Sequence, residues 1–117
     1  MTTTRQRGDE AEKAALAHLR AAGLSLIEAN FRSRFGEIDL IMRDGDSLVF
    51  VEVRYRKNAR FGGSAASVDR TKQQRLTRTG LVYLQTRRIN SPCRFDVVAV
   101  SGDGQLDWLP NAFDAQA

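Results

Sequence analysis

Between residues 8 and 22 apolar positions return every three to four residues. Ala11, Ala15, Leu16, His18, Leu19 and Ala22 share one arc of a helical wheel, and Asp9, Lys13, Ala17 and Arg20 lie opposite. The pattern predicts a helix that Gly23 stops. The period then shortens. Leu24 to Asn30 reads as a strand, followed by a polar turn through Arg32 to Arg34. Ile38, Leu40 and Met42 alternate with Glu37, Asp39 and Ile41 as a second strand, and Asp44-Gly45-Asp46 is a hairpin signal. Leu48 to Tyr55 is the most apolar segment and is expected in the middle of a sheet. Arg56 to Ser67, with Gly62-Gly63, reads as a long loop. Ser67 is expected to cap a second helix running to about Gln85, with Leu76, Gly80, Leu81, Tyr83 and Leu84 on or near its buried side. Phe95 to Val100 follows Pro92 as a fourth strand, and Gln105 to Leu109 is a short fifth. The order α-β-β-β-α-β-β predicts an α/β sandwich with a mixed sheet, one domain over residues 1–117, frayed at 1–7 and 111–117.

Composition narrows the class. One Cys and one His in 117 residues exclude an internal disulfide and a structural zinc site. No apolar run approaches the roughly 20 residues that cross a bilayer, and the arginines of the first ten residues precede no apolar stretch of a secretory signal. A soluble cytoplasmic protein without membrane contact is expected. The net charge is only +4, but it is polarised. From Arg54 to Arg94 eleven basic residues face one acid, Asp69, for +10; the remaining seven against thirteen give −6. Fifteen of the eighteen basic residues are Arg, whose fork suits phosphate. A basic half joined to an acidic half suits a polyanion held against carboxylates, and a solvated basic helix face is the competing explanation.

Three acids stand where the pattern asks for apolar side chains. Glu12 lies on the helix between Leu16 and Leu19 in the apolar arc, Asp39 is flanked by Ile38 and Leu40, and Glu52 is centred in Val49-Phe50-Val51-Glu52-Val53. Burying an ionised carboxylate is costly, so each needs a partner, a metal ion or a wet cleft. Alternation places Glu52 and Arg54 on one strand face. A hairpin turning at Asp44-Gly45 sets Asp39 opposite Phe50 and diagonal to Glu52; a loop of Asp44 to Ser47 sets it directly opposite Glu52; a three-residue loop would separate them. Like charges that close favour a cation between them, and oxygen-only donors favour Mg²⁺ or Mn²⁺. Metal-dependent phosphodiester hydrolysis is therefore the leading enzyme hypothesis, with Glu12, Asp39 and Glu52 on the metal and Arg54 on the attacked phosphate. Arg56, Lys57, Arg60, Arg70, Lys72, Arg75 and Arg78 are the expected backbone-binding set.

Gly36-Glu37-Ile38-Asp39-Leu40-Ile41 and Val49-Phe50-Val51-Glu52-Val53-Arg54-Tyr55-Arg56 resemble the YraN family of uncharacterised bacterial proteins. The likeness extends to Ala11-Glu12 with Ala15 and Leu19, to Asn30-Phe31-Arg32, to Lys72 before Tyr83-Leu84, and to Arg94-Phe95-Asp96-Val97-Val98. That family looks like a member of the restriction-endonuclease-like PD-(D/E)xK nucleases, near the Holliday-junction resolvases. The resemblance implies an αβββαβ core, a metal site from Asp39 and Glu52, and Glu12 as the helix-borne acid. DNA, including branched DNA, is the implied partner, with RNA left open and a homodimer suggested by analogy with resolvases. One position departs from the nuclease motif: the residue two after Glu52 is Arg54 where Lys is usual, and a guanidinium cannot be deprotonated. Either the site accepts Arg, or Lys72 or Lys57 reaches in, or turnover is weak or absent. A non-catalytic nucleic-acid-binding module is thus the alternative, and an assembly protein whose acids merely pair with arginines is a third reading.

The remaining signals favour plain structural roles. His18 reads as a packing residue, Trp108 and Phe113 as cover for a core edge with stacking on bases the lesser reading, and Cys93 as a small side chain. Gly62-Gly63 lacks the Lys-Ser/Thr of a phosphate-binding loop. Glu37 is expected either to join the metal site or to pair with Arg34 or another arginine. Asp96 is expected to pair with Arg94 or its neighbours, with a functional role the lesser reading, and Asp44 and Asp46 to serve the turn first.

Overall fold

The computed structural model describes residues 4–56 and 68–115. Helix α1 (Thr4–Ala21) is followed by strands β1 (Ser25–Ser33), β2 (Gly36–Asp44) and β3 (Ser47–Arg56), helix α2 (Arg70–Arg87), and strands β4 (Cys93–Ser101) and β5 (Leu106–Phe113). The sheet order is β1-β2-β3-β4-β5. Every neighbouring pair is antiparallel except β3 and β4, which run parallel because α2 carries the chain back across the sheet. This is the expected αβββαβ core in a mixed sheet, with an added fifth strand.

Each sheet face buries one helix. Ala11, Ala15 and Leu19 of α1 pack on Leu40, Met42, Val49, Val51 and Val98, while Leu76 and Tyr83 of α2 pack on Ile41, Leu48, Phe50 and Val97. The close approach of α2 depends on Gly80, where an added Cβ would lie 3.1 Å from the Phe50 ring. Gly23, at φ +100°, ends α1 as expected: its amide bonds to Arg20 O and that of Leu24 to Leu19 O, a Schellman cap. Among the described residues no helix is long and apolar enough to cross a membrane.

Several boundaries move. Helix α1 begins at Thr4, and β1 continues through Arg32 and Ser33, so the polar turn shrinks to Arg34-Phe35. The cap of α2 is Asp69, not Ser67; its carboxylate accepts from the Lys72 amide at 2.8 Å. Ser67, Gly62-Gly63 and the rest of 57–67 lie outside the described residues. Leu81, expected on or near the buried side of α2, is 51% exposed. Strand β5 runs past Pro110 to Phe113, where fraying was expected, because Phe113 stacks on Phe95 at 5.0 Å. The register slips between Phe95 and Val97, and the carboxylate of Asp96 fills the resulting bulge by accepting from the Asn111 amide at 2.9 Å.

Candidate active site

Strands β2 and β3 form a fork. Their ladder runs from Asp44↔Ser47 to Leu40↔Val51, the register that sets Asp39 against Glu52. Beyond that pair β2 continues with β1, and β3 continues with β4 as far as Arg56↔Ser101. Asp39 stands on one prong and Glu52 on the other. With the ladder over, the amide of Val53 is free for a side chain, and Asp39 Oδ2 accepts from it at 2.7 Å.

Strict alternation does not survive to this point. Leu40 and Met42 share the face toward α1, yet Ile38, expected on the same face, faces α2. The reversal lies next to Asn30 of β1, which adopts φ +56°. Asp39 therefore turns into the gap between the strands rather than standing squarely on the Glu52–Arg54 face. Asn30 is a functional-looking residue that sequence reasoning missed: its Nδ2 donates to Glu12 Oε1 at 3.1 Å, tying the kink in β1 to helix α1. An Asn inside a strand pattern, tolerant of positive φ, was the available signal.

The electrostatics follow from burial and proximity. Asp39 is pushed up to about 7, first by burial and next by the charge of Glu52, with the Val53 amide opposing. Glu52 is raised by burial, while Lys72 and then Arg54 pull it back. Glu12 is raised by burial, and the Asn30 amide lowers it. Among the described residues no three His, Cys, Asp or Glu side chains gather closely enough to hold one ion together. The acids instead stand as a pair, Asp39 raised by the charge of Glu52, with Glu12 sharing a cavity of about 350 Å³ with Asp39 and Glu37.

On the other side of Val53 and Tyr55 a cavity of about 360 Å³ is lined by Glu52, Arg54, Asp69 and Lys72. Lys72 Nζ lies 3.6 Å from Glu52 Oε1. Of the two lysines considered at the sequence level, Lys72 reaches the acid; Lys57 lies outside the described residues, as does Arg60. The Asp69 cap orients the first turn of α2, from which Lys72 departs.

The basic set divides. Arg70, Arg75 and Arg78 are exposed on α2, and none of them pairs with a carboxylate among the described residues. Arg56 is engaged by Asp107 and its side chain is only 12% exposed, so its charge is neutralised inside the fold. Glu37 pairs with Arg32 at 3.6 Å, an arginine other than Arg34, within the expectation. Asp44 pairs with Arg94 at 2.9 Å, a role beyond the turn. Asp96 is fully buried and accepts from Arg94, from Trp108 Nε1 and from Asn111, which settles it as structural. His18 packs edge-on against Trp108 at 5.9 Å.

The sequence pattern of the family described as "Uncharacterised protein family UPF0102" matches residues 11–100. The chain belongs to the UPF0102 family. The UPF0102 protein of Nitrosomonas eutropha is 50% identical over 114 residues, 97% of this chain and 98% of its own length. That of Pseudomonas fluorescens is 52% identical over 94% of each chain, and that of Yersinia enterocolitica 54% identical over 95% of this chain and 97% of its own. This is the family that the resemblance named as YraN. The UPF0102 match takes in both prongs of the fork, the acid of α1 and all of α2. Among solved structures the chain is similar to the one described as the crystal structure of SSO0001, with a TM-score of 0.48, 14% identity and 97% of this chain covered; it spans about half of that chain, 55%.

Proposed function

We propose that this UPF0102 chain is a Mg²⁺- or Mn²⁺-dependent endonuclease-like protein that hydrolyses phosphodiester bonds in DNA. The observation that carries the proposal is the pair Asp39 and Glu52 at the fork, two half-buried carboxylates, each raised by burial, with the charge of Glu52 raising Asp39 further and Lys72 3.6 Å from Glu52. A structural ion pair would use one acid per cation; here a second acid is added where it is electrostatically unfavourable. The donors fit a hard divalent ion, because they are oxygens, they are two in number, and a cation between them removes their repulsion. Asp39, through the oxygen not engaged by Val53, and Glu52 would hold the ion, which when bound supplies charge to the attacked phosphate and water of lowered pKa.

The protein's own groups do the rest. Lys72 sets an ammonium beside the reacting phosphate, the task that Arg54 cannot perform as a proton donor-acceptor. Arg54, on the same strand face as Glu52, contributes fixed positive charge to the developing negative charge. Glu12 with Asn30 bounds the opposite wall, and Arg70, Arg75 and Arg78 offer free forks to the backbone. The non-catalytic alternative rests on Arg54 standing where the nuclease motif has Lys. The deciding experiment incubates the protein with supercoiled and four-way-junction DNA in Mg²⁺ or Mn²⁺, beside Glu52→Gln and Asp39→Asn. Cleavage by the wild type and its loss in both variants is expected. Cleavage unchanged in the variants would refute the assignment, and tight binding without cutting would leave the binding module.

A further inference from the structure

Residues 33–36 close the β1–β2 hairpin with Arg34-Phe35 at its tip, since Ser33 pairs with Gly36. Two-residue hairpin turns draw on Gly, Asn and Asp, so backbone geometry does not account for an aromatic and a cation there. The tip is nevertheless firmly placed. Ser33 Oγ accepts from the Phe35 amide at 3.0 Å and lies 3.1 Å from Thr79 Oγ1 on α2. Gly36, at φ +147°, lets the chain lie against Arg75 and Thr79.

Between this tip and α2 opens a cavity of about 710 Å³ with Phe35, Leu81 and Val82 as its apolar lining and Arg34 and Arg78 at its rim. The guanidinium carbons of Arg34 and Arg78 lie 4.8 and 5.7 Å from the centre of the Phe35 ring. Neither arginine meets a carboxylate among the described residues. Arg78 also continues the row Lys72, Arg75, Arg78 that starts at Glu52, six residues or about 9 Å along the helix axis. At the roughly 3.4 Å rise of one strand, that is two to three nucleotides from the fork.

An apolar slot bordered by planar unpaired cations, at the end of a cationic row, matches a flat aromatic ring carried on a phosphate backbone. We infer that this slot receives an unpaired nucleobase, so that the preferred polynucleotide is a duplex with a single-stranded extension beside the fork. The inference rests on the nucleic-acid reading above and adds the substrate class. An acidic peptide or a second copy of this chain would use the same charge, but neither accounts for a row aimed at the fork.

The test compares binding of a labelled blunt duplex and the same duplex with a short single-stranded extension, in Ca²⁺ to prevent turnover, by fluorescence anisotropy. The wild type is expected to bind the extended DNA roughly tenfold more tightly. Phe35→Ala and, independently, the exposed Leu81→Ala should erase that gain and leave blunt-duplex binding and the thermal midpoint unchanged. No gain from the extension, or equal losses on both DNAs, overturns the base slot while duplex binding that weakens steeply with salt keeps the nucleic-acid reading. Absence of binding to either DNA overturns both. A wild-type dimer in size-exclusion light scattering that Phe35→Ala dissolves gives the slot to a second copy and overturns the inference.

Discussion

At Asp39 the fold sets burial and a neighbouring negative charge against one amide hydrogen bond, and the carboxyl is pushed up to about 7 from an unfolded value of 3.8. A group that binds its proton more tightly when folded stabilises the protein fully below its unfolded pKa and loses that contribution as pH rises through the folded one. In metal-free buffer, Asp39 therefore costs stability that grows from about pH 4 to about pH 7 and is complete above it, and the raised Glu52 and Glu12 act in the same direction. Asp39→Asn keeps an oxygen for the Val53 amide and removes the titration. Its thermal midpoint should exceed that of the wild type at pH 8 in EDTA, by the equivalent of a few kcal/mol, and the difference should vanish near pH 4. Added Mg²⁺ should raise the wild-type midpoint at pH 8 and leave that of Asp39→Asn where it was. A wild-type midpoint indifferent to both pH and Mg²⁺, measured against the variant, would contradict the raised Asp39 and its cation site.

At the scale of elements, two contacts decide where α2 lies and hence where Lys72 points. Asp69→Ala removes the carboxylate that caps the first turn and should cost about 1 kcal/mol in denaturant unfolding. Because Lys72 leaves from that turn, the same variant should lose cleavage activity beyond what reduced stability explains, measured at a temperature where it is fully folded. Gly80→Ala tests the close approach: the new methyl would press on the ring of Phe50, which is buried between Tyr83 and Phe95, so a loss of about 1–3 kcal/mol is expected. Periodicity made the existence and order of all seven elements legible, because each buries one face or stripe. What it did not reveal was how they end and bend. Asn30 reverses the alternation at Asp39, Asp69 takes the cap expected at Ser67, and the stacking of Phe113 on Phe95 extends β5 through a bulge. The first and last depend on contacts between residues distant in the chain, which no local period encodes; the cap is a local choice between two capping side chains two residues apart.

For the molecule as a whole, the acids at the fork were legible as charges in apolar settings, but the +10 of the segment from Arg54 to Arg94 was not the charge that a ligand meets. Arg56 pairs with Asp107, Lys72 with Glu52, Arg87 with Glu28, and Arg94 with both Asp44 and Asp96, because the fold brings in acids from the negative half of the sequence. A sum along the chain counts these cations at full charge; in the fold each already faces a carboxylate. Arg70, Arg75 and Arg78 are different, being exposed on one helix and without carboxylate partners among the described residues. If they neutralise phosphates, each contributes about −0.9 to the slope of log K against log salt for duplex DNA. Arg75→Gln should therefore weaken binding across sequences and lower the magnitude of that slope by about one, with the thermal midpoint unchanged. Arg94→Gln removes the same formal charge but strips a guanidinium from the fully buried Asp96. It should cost about 3 kcal/mol or more of stability and leave the salt slope of the folded protein as it was. Equal slopes for wild type and Arg75→Gln, or a lowered slope for Arg94→Gln, would place the polyanion elsewhere than along α2.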